Sequence, residues 1–202
     1  MVLSSTGDDT IFIFLYVRGN MTTYTKDQII AELKKIHHFV HQTLTDMSEE
    51  KLFAGTTENW SPADYLKHLI IANKPFAKGL LMPRDQMEGM FGASETGSMT
   101  YEELVAIYQK MIDEGLRAEI APSITPVNYR MPEGVTDVKT YLIETWDDAN
   151  SRIENALEGW SETDLDKYKI PHPAIGVITV REMLYFTIHH NRLHGNDIAR
   201  GA

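Results

Sequence analysis

What this chain can fold into is constrained above all by apolar residues that recur every third or fourth position in long, separately capped segments. From Thr25 onward, Ile29, Leu33, Ile36, Val40 and Leu44 form one such stripe and predict an amphipathic helix ending near Asp46. Trp60-Ser61-Pro62-Ala63-Asp64 marks a second start. Ser61 suits the cap, Pro62 the first helical position and Asp64 the positive end of the helix dipole. Tyr65, Leu69, Ala72, Phe76 and Leu80 carry that helix to about Met82, ahead of Pro83. Thr100-Tyr101-Glu102-Glu103 has the form of a capping box and opens a third helix through Leu104, Ile107, Tyr108 and Met111. Thr136 to Leu157 predicts a fourth, with Leu142, Trp146, Ala149, Ile153 and Leu157 on one face, and Thr179 to Arg200 predicts the last.

Between these segments the chain is punctuated. Arg84 to Thr100 is rich in Gly, Ser and Met with weak periodicity and reads as a loop. Pro122, Pro126 and Pro132 break the next connection, which must be extended. Ser161 to Leu165 reads as a brief turn or short helix, and Lys169 to Ile178 as a proline-fixed loop leading into the last helix. Long amphipathic helices, one long connection and no alternating strands argue for an all-α fold, an up-down four-helix bundle with a long crossover connection. A length of 202 residues suits one such domain. Residues 1–20 are expected to be an N-terminal extension and 21–202 the bundle. The apolar run Ile11 to Val17 could be a lone strand, and Met21 is a plausible start of the domain proper.

Composition narrows the function. The formal charge of −10, from 29 acidic against 19 basic residues, comes with no Lys/Arg stripe that could track phosphates, so nucleic acid is not an expected partner. Ile11 to Val17 is far too short to span a membrane and follows Asp8 and Asp9 rather than a basic leader, so no membrane association and a cytoplasmic location are expected. With no cysteine, disulfides, thiolate zinc sites and a cysteine nucleophile are excluded. Eight histidines and the carboxylates remain as candidate ligands.

The last helix carries the sharpest of these. His190 and His194 are one turn apart and continue the apolar stripe of Met183, Thr187 and Ile198. Two imidazoles on an interior face need partners; a shared metal ion would satisfy both, and so would separate hydrogen bonds to neighbouring groups. His189 is turned about 100° away. His37 and His41 form a second four-apart pair, at the edge of their stripe beside Lys34 and Lys35, and read as boundary or surface residues. His68 lies at the margin of the second helix's apolar face, where a hydrogen-bonded role is the ordinary one, and Asp64 one turn earlier either orients its ring or serves only as a helix-start acid. His172, rigidly placed between two prolines, could serve a pocket, but exposure on its loop is the expected reading. Trp60, Met87, Met90 and Phe91 could line an apolar pocket but more often such residues fill core.

Taken together, Trp60-Ser61-Pro62 with His68-Leu69, His172-Pro173 with Gly176, and His190 with His194 resemble the DinB-like family of four-helix-bundle, metal-dependent proteins. The likeness covers roughly residues 25 to 200. It implies a divalent metal, commonly zinc, nickel or iron, bound by one histidine of the second helix and two of the last, which fall here on His68, His190 and His194. Activities in that family include transferases and isomerases that use low-molecular-weight thiols such as bacillithiol or mycothiol, and the ergothioneine-pathway sulfoxide synthases contain a related domain.

What the resemblance implies for this chain is a metal-dependent transferase that activates a low-molecular-weight thiol for attack on a small-molecule substrate, with a homodimer as the expected assembly. Metal-dependent hydrolysis uses the same ligand set, with Asp64 or Glu182 as candidate base. A non-catalytic metal-binding or ligand-binding dimeric bundle is the third reading; it would be favoured by a carboxylate closing the fourth coordination position.

Overall fold

The computed structural model describes residues 22–56, 59–117 and 124–201. The expected extension over residues 1–20 lies outside them. Each long helix begins where its sequence supplies a cap. Helix α1 (Lys26–Asp46) is opened by a reciprocal capping box between Thr25 and Gln28, and it buries Ile29, Leu33, Ile36, Val40 and Leu44. A single turn, α2 (Glu49–Leu52), follows. Helix α3 (Pro62–Gly79) starts on a Ser61–Asp64 capping box.

The expected loop after Pro83 contains a helix, α4 (Arg84–Phe91). Its eight residues are too few for a clear period, and it is held by tertiary contacts: Met87 is fully buried, and the Arg84 guanidinium lies 3.2 Å above the Trp160 ring while donating to the Gly159 carbonyl. Helix α5 (Tyr101–Asp113) begins on the Thr100–Glu103 box. The connection beyond it includes a 3-10 turn, Pro126–Asn128, before α6 (Val138–Ala156), which Asp137 caps. The short α7 (Glu162–Lys167) realises the helical one of the two forms expected there, a brief turn or a short helix.

Lys169 to Ile178 is not a loop but most of a small antiparallel hairpin, β1 (Lys169–His172) with β2 (Gly176–Thr179). Four-residue strands are too short for alternation to reveal them. His172 faces Gly176 across the pair, so the turn is Pro173-Ala174-Ile175, and Gly176 closes it at φ +98°, where a side chain would be strained. Helix α8 (Val180–Arg200) follows at once, on a Thr179–Glu182 capping box.

The four long helices form the bundle. Helices α1 and α3 each pack against both α6 and α8, so α1 sits diagonally across from α3 and α6 from α8. Residue pairs give the directions. On α1 and α6, His37 meets Glu154 while Lys139 reaches the Thr45 and Met47 carbonyls, so the two are antiparallel. On α1 and α8, Glu32 pairs with Arg192 and Val40 abuts Gly195, so they are parallel. On α3 and α8, Pro62 abuts Gly201 and His68 meets His190, an antiparallel pair. The polarity is therefore up-down-down-up, and the long crossover is the connection that joins the two parallel helices α3 and α6. Trp146, Leu69, Leu184 and Ile188 fill the centre, each fully buried. Among the described residues no helix is long and apolar enough to cross a membrane.

Candidate metal centre

The antiparallel contact of α3 with α8 brings His68 against His190 and His194. Their ring centroids are 4.7 to 5.0 Å apart, and one nitrogen from each can be chosen so that all three lie within 4.8 Å of one another. His68 and His190 are buried, with 1% and 3% exposure, and His194 is half-buried. The three converge because helical spacing stacks His190 over His194 and the α3 polarity presents His68 opposite them.

Hydrogen bonds fix which nitrogens meet. His68 Nδ1 lies 2.7 Å from the Ile124 carbonyl, which can only accept, so Nδ1 carries the proton and Nε2 is a lone pair. His194 Nδ1 is 3.0 Å from a carboxylate oxygen of Asp197, three residues on along the same helix, and that carboxylate also accepts from Arg200. Both arrangements engage Nδ1, the outer nitrogen, as partners of metal-bound histidines do. His68 Nε2 faces His190 Nε2 at 2.9 Å. A single proton on His190 satisfies that pair, and a divalent cation can replace it. Tetrahedral coordination with bonds near 2.05 Å would place nitrogens roughly 3.3 Å apart, so the donor set fits such an ion.

Burial pushes the His190 imidazole well below its ordinary pKa, and the neighbouring His194 and His68 add to the effect. It is therefore neutral near pH 7, the state a ligand requires. His189 is also pushed down, to about 4, mainly by burial, but its ring faces Tyr108 rather than the cluster. The walls are aromatic. Phe186 stacks on His190, Tyr65 stacks on His194, and Trp60 lies 5.2 Å from His68.

The other candidates sort differently. Asp64 does not orient His68: its carboxylate caps Ser61 and pairs with Lys67 at 3.0 Å. Glu182 is buried, with one oxygen on the Thr179 N–H and the other on the Met99 N–H. His37 and His41 stand at the α1–α6 boundary on Asp147 and Glu154, away from the cluster. Met87 is core, whereas Met90 is exposed. His172, expected to be exposed, is buried at 6% exposure, because the hairpin folds its ring against Phe186 with centroids 4.1 Å apart. Of the supporting groups, Asp197 and Phe186 stand at i+3 and i−4 from the two α8 histidines, a spacing visible in the sequence; the Ile124 carbonyl carries no such signal.

A family model described as the DinB superfamily matches residues 32–198. No match is found among curated proteins. Among solved structures, YfiT from Bacillus subtilis, described as "a probable metal-dependent hydrolase with an unusual four-helix bundle topology", is similar to this chain at 15% identity and a TM-score of 0.48, with 91% of this chain and 92% of that chain covered.

Proposed function

This chain belongs to the DinB superfamily, and from that membership and the meeting of three imidazoles we propose a metal-dependent enzyme in which His68, His190 and His194 hold one zinc, nickel or iron ion and the reaction is thiol transfer. The observation that carries the reading is the donor set: among the described residues, the group that meets here consists of three histidines and includes no carboxylate. Three neutral nitrogens leave coordination positions for water or substrate, the pattern of catalytic rather than structural sites. An ion held there supplies Lewis acidity, lowering the pKa of a coordinated thiol or water toward neutrality.

The chain's own groups favour thiol over water. Activation of water is aided by a general base, and the two carboxylates best placed in the sequence, Asp64 and Glu182, are both committed to capping boxes. A thiol, with its ordinary pKa near 8.5, needs no such base once its anion is stabilised. Trp60, Tyr65 and Phe186 pack around the imidazoles and restrict water. The Ile124 carbonyl and Asp197 hold the ring orientations of His68 and His194.

Elemental analysis of the purified protein tests the centre first. About one divalent ion per chain is expected, lost in His190→Ala and kept in His37→Ala. Turnover of electrophilic substrates with and without bacillithiol, mycothiol or glutathione tests the reaction. Activity that persists unchanged without any thiol would replace transfer with hydrolysis, and a metal-free protein after reconstitution would overturn the reading altogether.

A further inference from the structure

Beside the metal centre the chain forms a cleft of about 520 Å³ between the start of α3 and the stretch that follows Thr125. Trp60, Asp64 and Lys67 line one side, and Pro126, Val127 and Met131 line the other. Its volume lies in the range of small-molecule sites. Among the described residues that line it, none is one of the three histidines, but the cleft shares two parts of their support. Trp60 packs on His68 with centroids 5.2 Å apart, and Ile124, whose carbonyl accepts from His68, leads directly towards the Pro126–Asn128 turn.

The two sides differ in chemistry. Val127 and Met131 are 79% and 39% exposed, large apolar side chains left facing solvent where they line a cleft, and with Trp60 they offer an apolar, partly aromatic surface. Opposite them the Lys67 side chain is only 22% exposed. Its ammonium donates to one Asp64 oxygen at 3.0 Å, and the other Asp64 oxygen accepts from the Ser61 N–H at 3.2 Å and from its hydroxyl at 2.7 Å. Burial alone would raise the Asp64 carboxyl, but the bonds from Ser61 and Lys67 outweigh it and hold its pKa below the ordinary value. Asp64 is thus an anion already occupied on both oxygens, and it aims the lysine. An ammonium carries three donors, and two remain beyond that bond.

We propose that this cleft binds a small molecule that joins a carboxylate to an apolar, aromatic-sized body, with the carboxylate on Lys67 and the body between Trp60, Val127 and Met131. Charge-assisted bonds to a half-buried ammonium supply affinity, and Asp64 fixes their direction. On the reading of the adjoining three-histidine centre as a thiol-transfer site, on which this step rests, the molecule is the electrophilic acceptor, because low-molecular-weight thiols such as glutathione present little apolar surface.

Phenylacetate is the probe, titrated into the full chain with and without added zinc, and phenethyl alcohol is its uncharged counterpart. The Trp60 indole N–H, assigned by comparison with Trp60→Phe, is expected to shift saturably with phenylacetate in the nitrogen–proton NMR spectrum. Lys67→Met should weaken phenylacetate binding about tenfold and Lys67→Arg about twofold or less, while Lys110→Met, at a lysine 75% exposed on α5, should leave it unchanged. Phenethyl alcohol should bind wild type and Lys67→Met alike. A Trp60 signal indifferent to phenylacetate, undiminished binding by Lys67→Met, or equal weakening of both probes in that variant would overturn the proposal. Zinc content is read in parallel. Phenylacetate binding by a chain that takes up no zinc would leave the cleft standing and remove the centre, whereas zinc uptake with a silent Trp60 would do the reverse.

Discussion

Replacing Asp197 with Asn removes a charge from the support of His194 while keeping the side chain's size. The carboxylate accepts from His194 Nδ1 at 3.0 Å and from Arg200 at 2.9 Å, and the Arg200 side chain is 75% exposed. That exposed ion pair is worth little, roughly 0.5 kcal/mol or less. Asp197 also lies in the last turn of α8, where the helix dipole disfavours an anion by a few tenths of a kcal/mol. The two small effects oppose each other, so the metal-free protein should unfold at nearly the wild-type temperature. The metal-loaded protein should not. An anionic partner makes the imidazole a stronger ligand and offsets the charge of the ion, and loss of such a partner typically weakens metal binding at least tenfold. Tenfold is about 1.4 kcal/mol, and at 2 to 4 °C per kcal/mol for a domain of this size it amounts to roughly 3 to 6 °C. Thermal unfolding of both proteins at one saturating zinc concentration measures it as the difference between their zinc-induced shifts. Equal shifts would refute the reasoning, either because Asp197 does not tune His194 or because the ion is not bound by His194.

His37 should make stability depend on pH in the opposite sense to a buried carboxylate. Both ring nitrogens face carboxylate oxygens, of Glu154 at 3.1 Å and Asp147 at 2.9 Å, so the ring is doubly protonated. Burial lowers its pKa, but the hydrogen bonds to Glu154 and Asp147 outweigh it and the net displacement is upward. The stabilisation is fully present below the unfolded value near 6.5 and is lost as pH rises through the higher folded value. His37→Gln should therefore cost more unfolding free energy at about pH 5.5 than at about pH 8.5, by roughly 1 kcal/mol or less given partial solvent screening, as read by urea unfolding; an equal loss at both would remove the imidazolium from the account. Gly195→Ala should destabilise despite Ala's better helix propensity, because the new methyl would lie 2.9 Å from Val40 Cγ2 in the fully buried α1–α8 contact. Overpacking of about 1 to 3 kcal/mol set against a propensity gain of about 1 kcal/mol predicts a lower melting temperature, and an unchanged one would mean α1 yields at no cost. Metal removal should speed hydrogen exchange in the first turns of α3 and around Pro126–Asn128, tied together by the His68–Ile124 bond, more than along the α1–α6 contact; uniform acceleration would argue against that coupling.

The helices were legible because each carries two independent signals, a cap and a period. Ser61 and Thr100 act as the caps that the sequence predicts, and Thr25 and Thr179 cap α1 and α8 in the same way. Helix α4 and the hairpin were not legible: α4 has barely two turns and the hairpin strands have four residues each, and both depend on partners distant in sequence, such as Trp160 for Arg84. Spacing alone placed His190 with His194. It could not place His68 beside them, since nothing local says which face of α3 meets which face of α8; the family resemblance named His68, and the structure brings it within reach. His172 was misjudged for the same reason. Two flanking prolines announce a rigid loop, but its burial comes from Phe186, fourteen residues later on another element. The boundary reading of His37 and His41 agrees with their half-buried positions between α1 and α6.

The aim of the imidazoles is set from the opposite side of α8. His194 and Gly195 are neighbours in sequence and so point about 100° apart. Gly195 faces α1, where the absence of a side chain lets Val40 and Phe39 close on the helix backbone. Glu32 with Arg192, three residues before Gly195, fixes the same contact by charge at the boundary. These two interactions leave α8 little freedom to rotate about its axis. A rotation of one residue step would turn His190 away from α3 and present His189 or Asn191 instead, and the 2.9 Å approach of His68 to His190 would be lost. Because Gly195 follows His194 directly on α8, the α1 contact and the histidine contact fall at the same level of the bundle. A packing change at Val40 or Gly195 is therefore felt at the cluster as a change of imidazole direction. Helix α1 supplies no member of the three-histidine group, yet its close approach determines whether the three histidines meet.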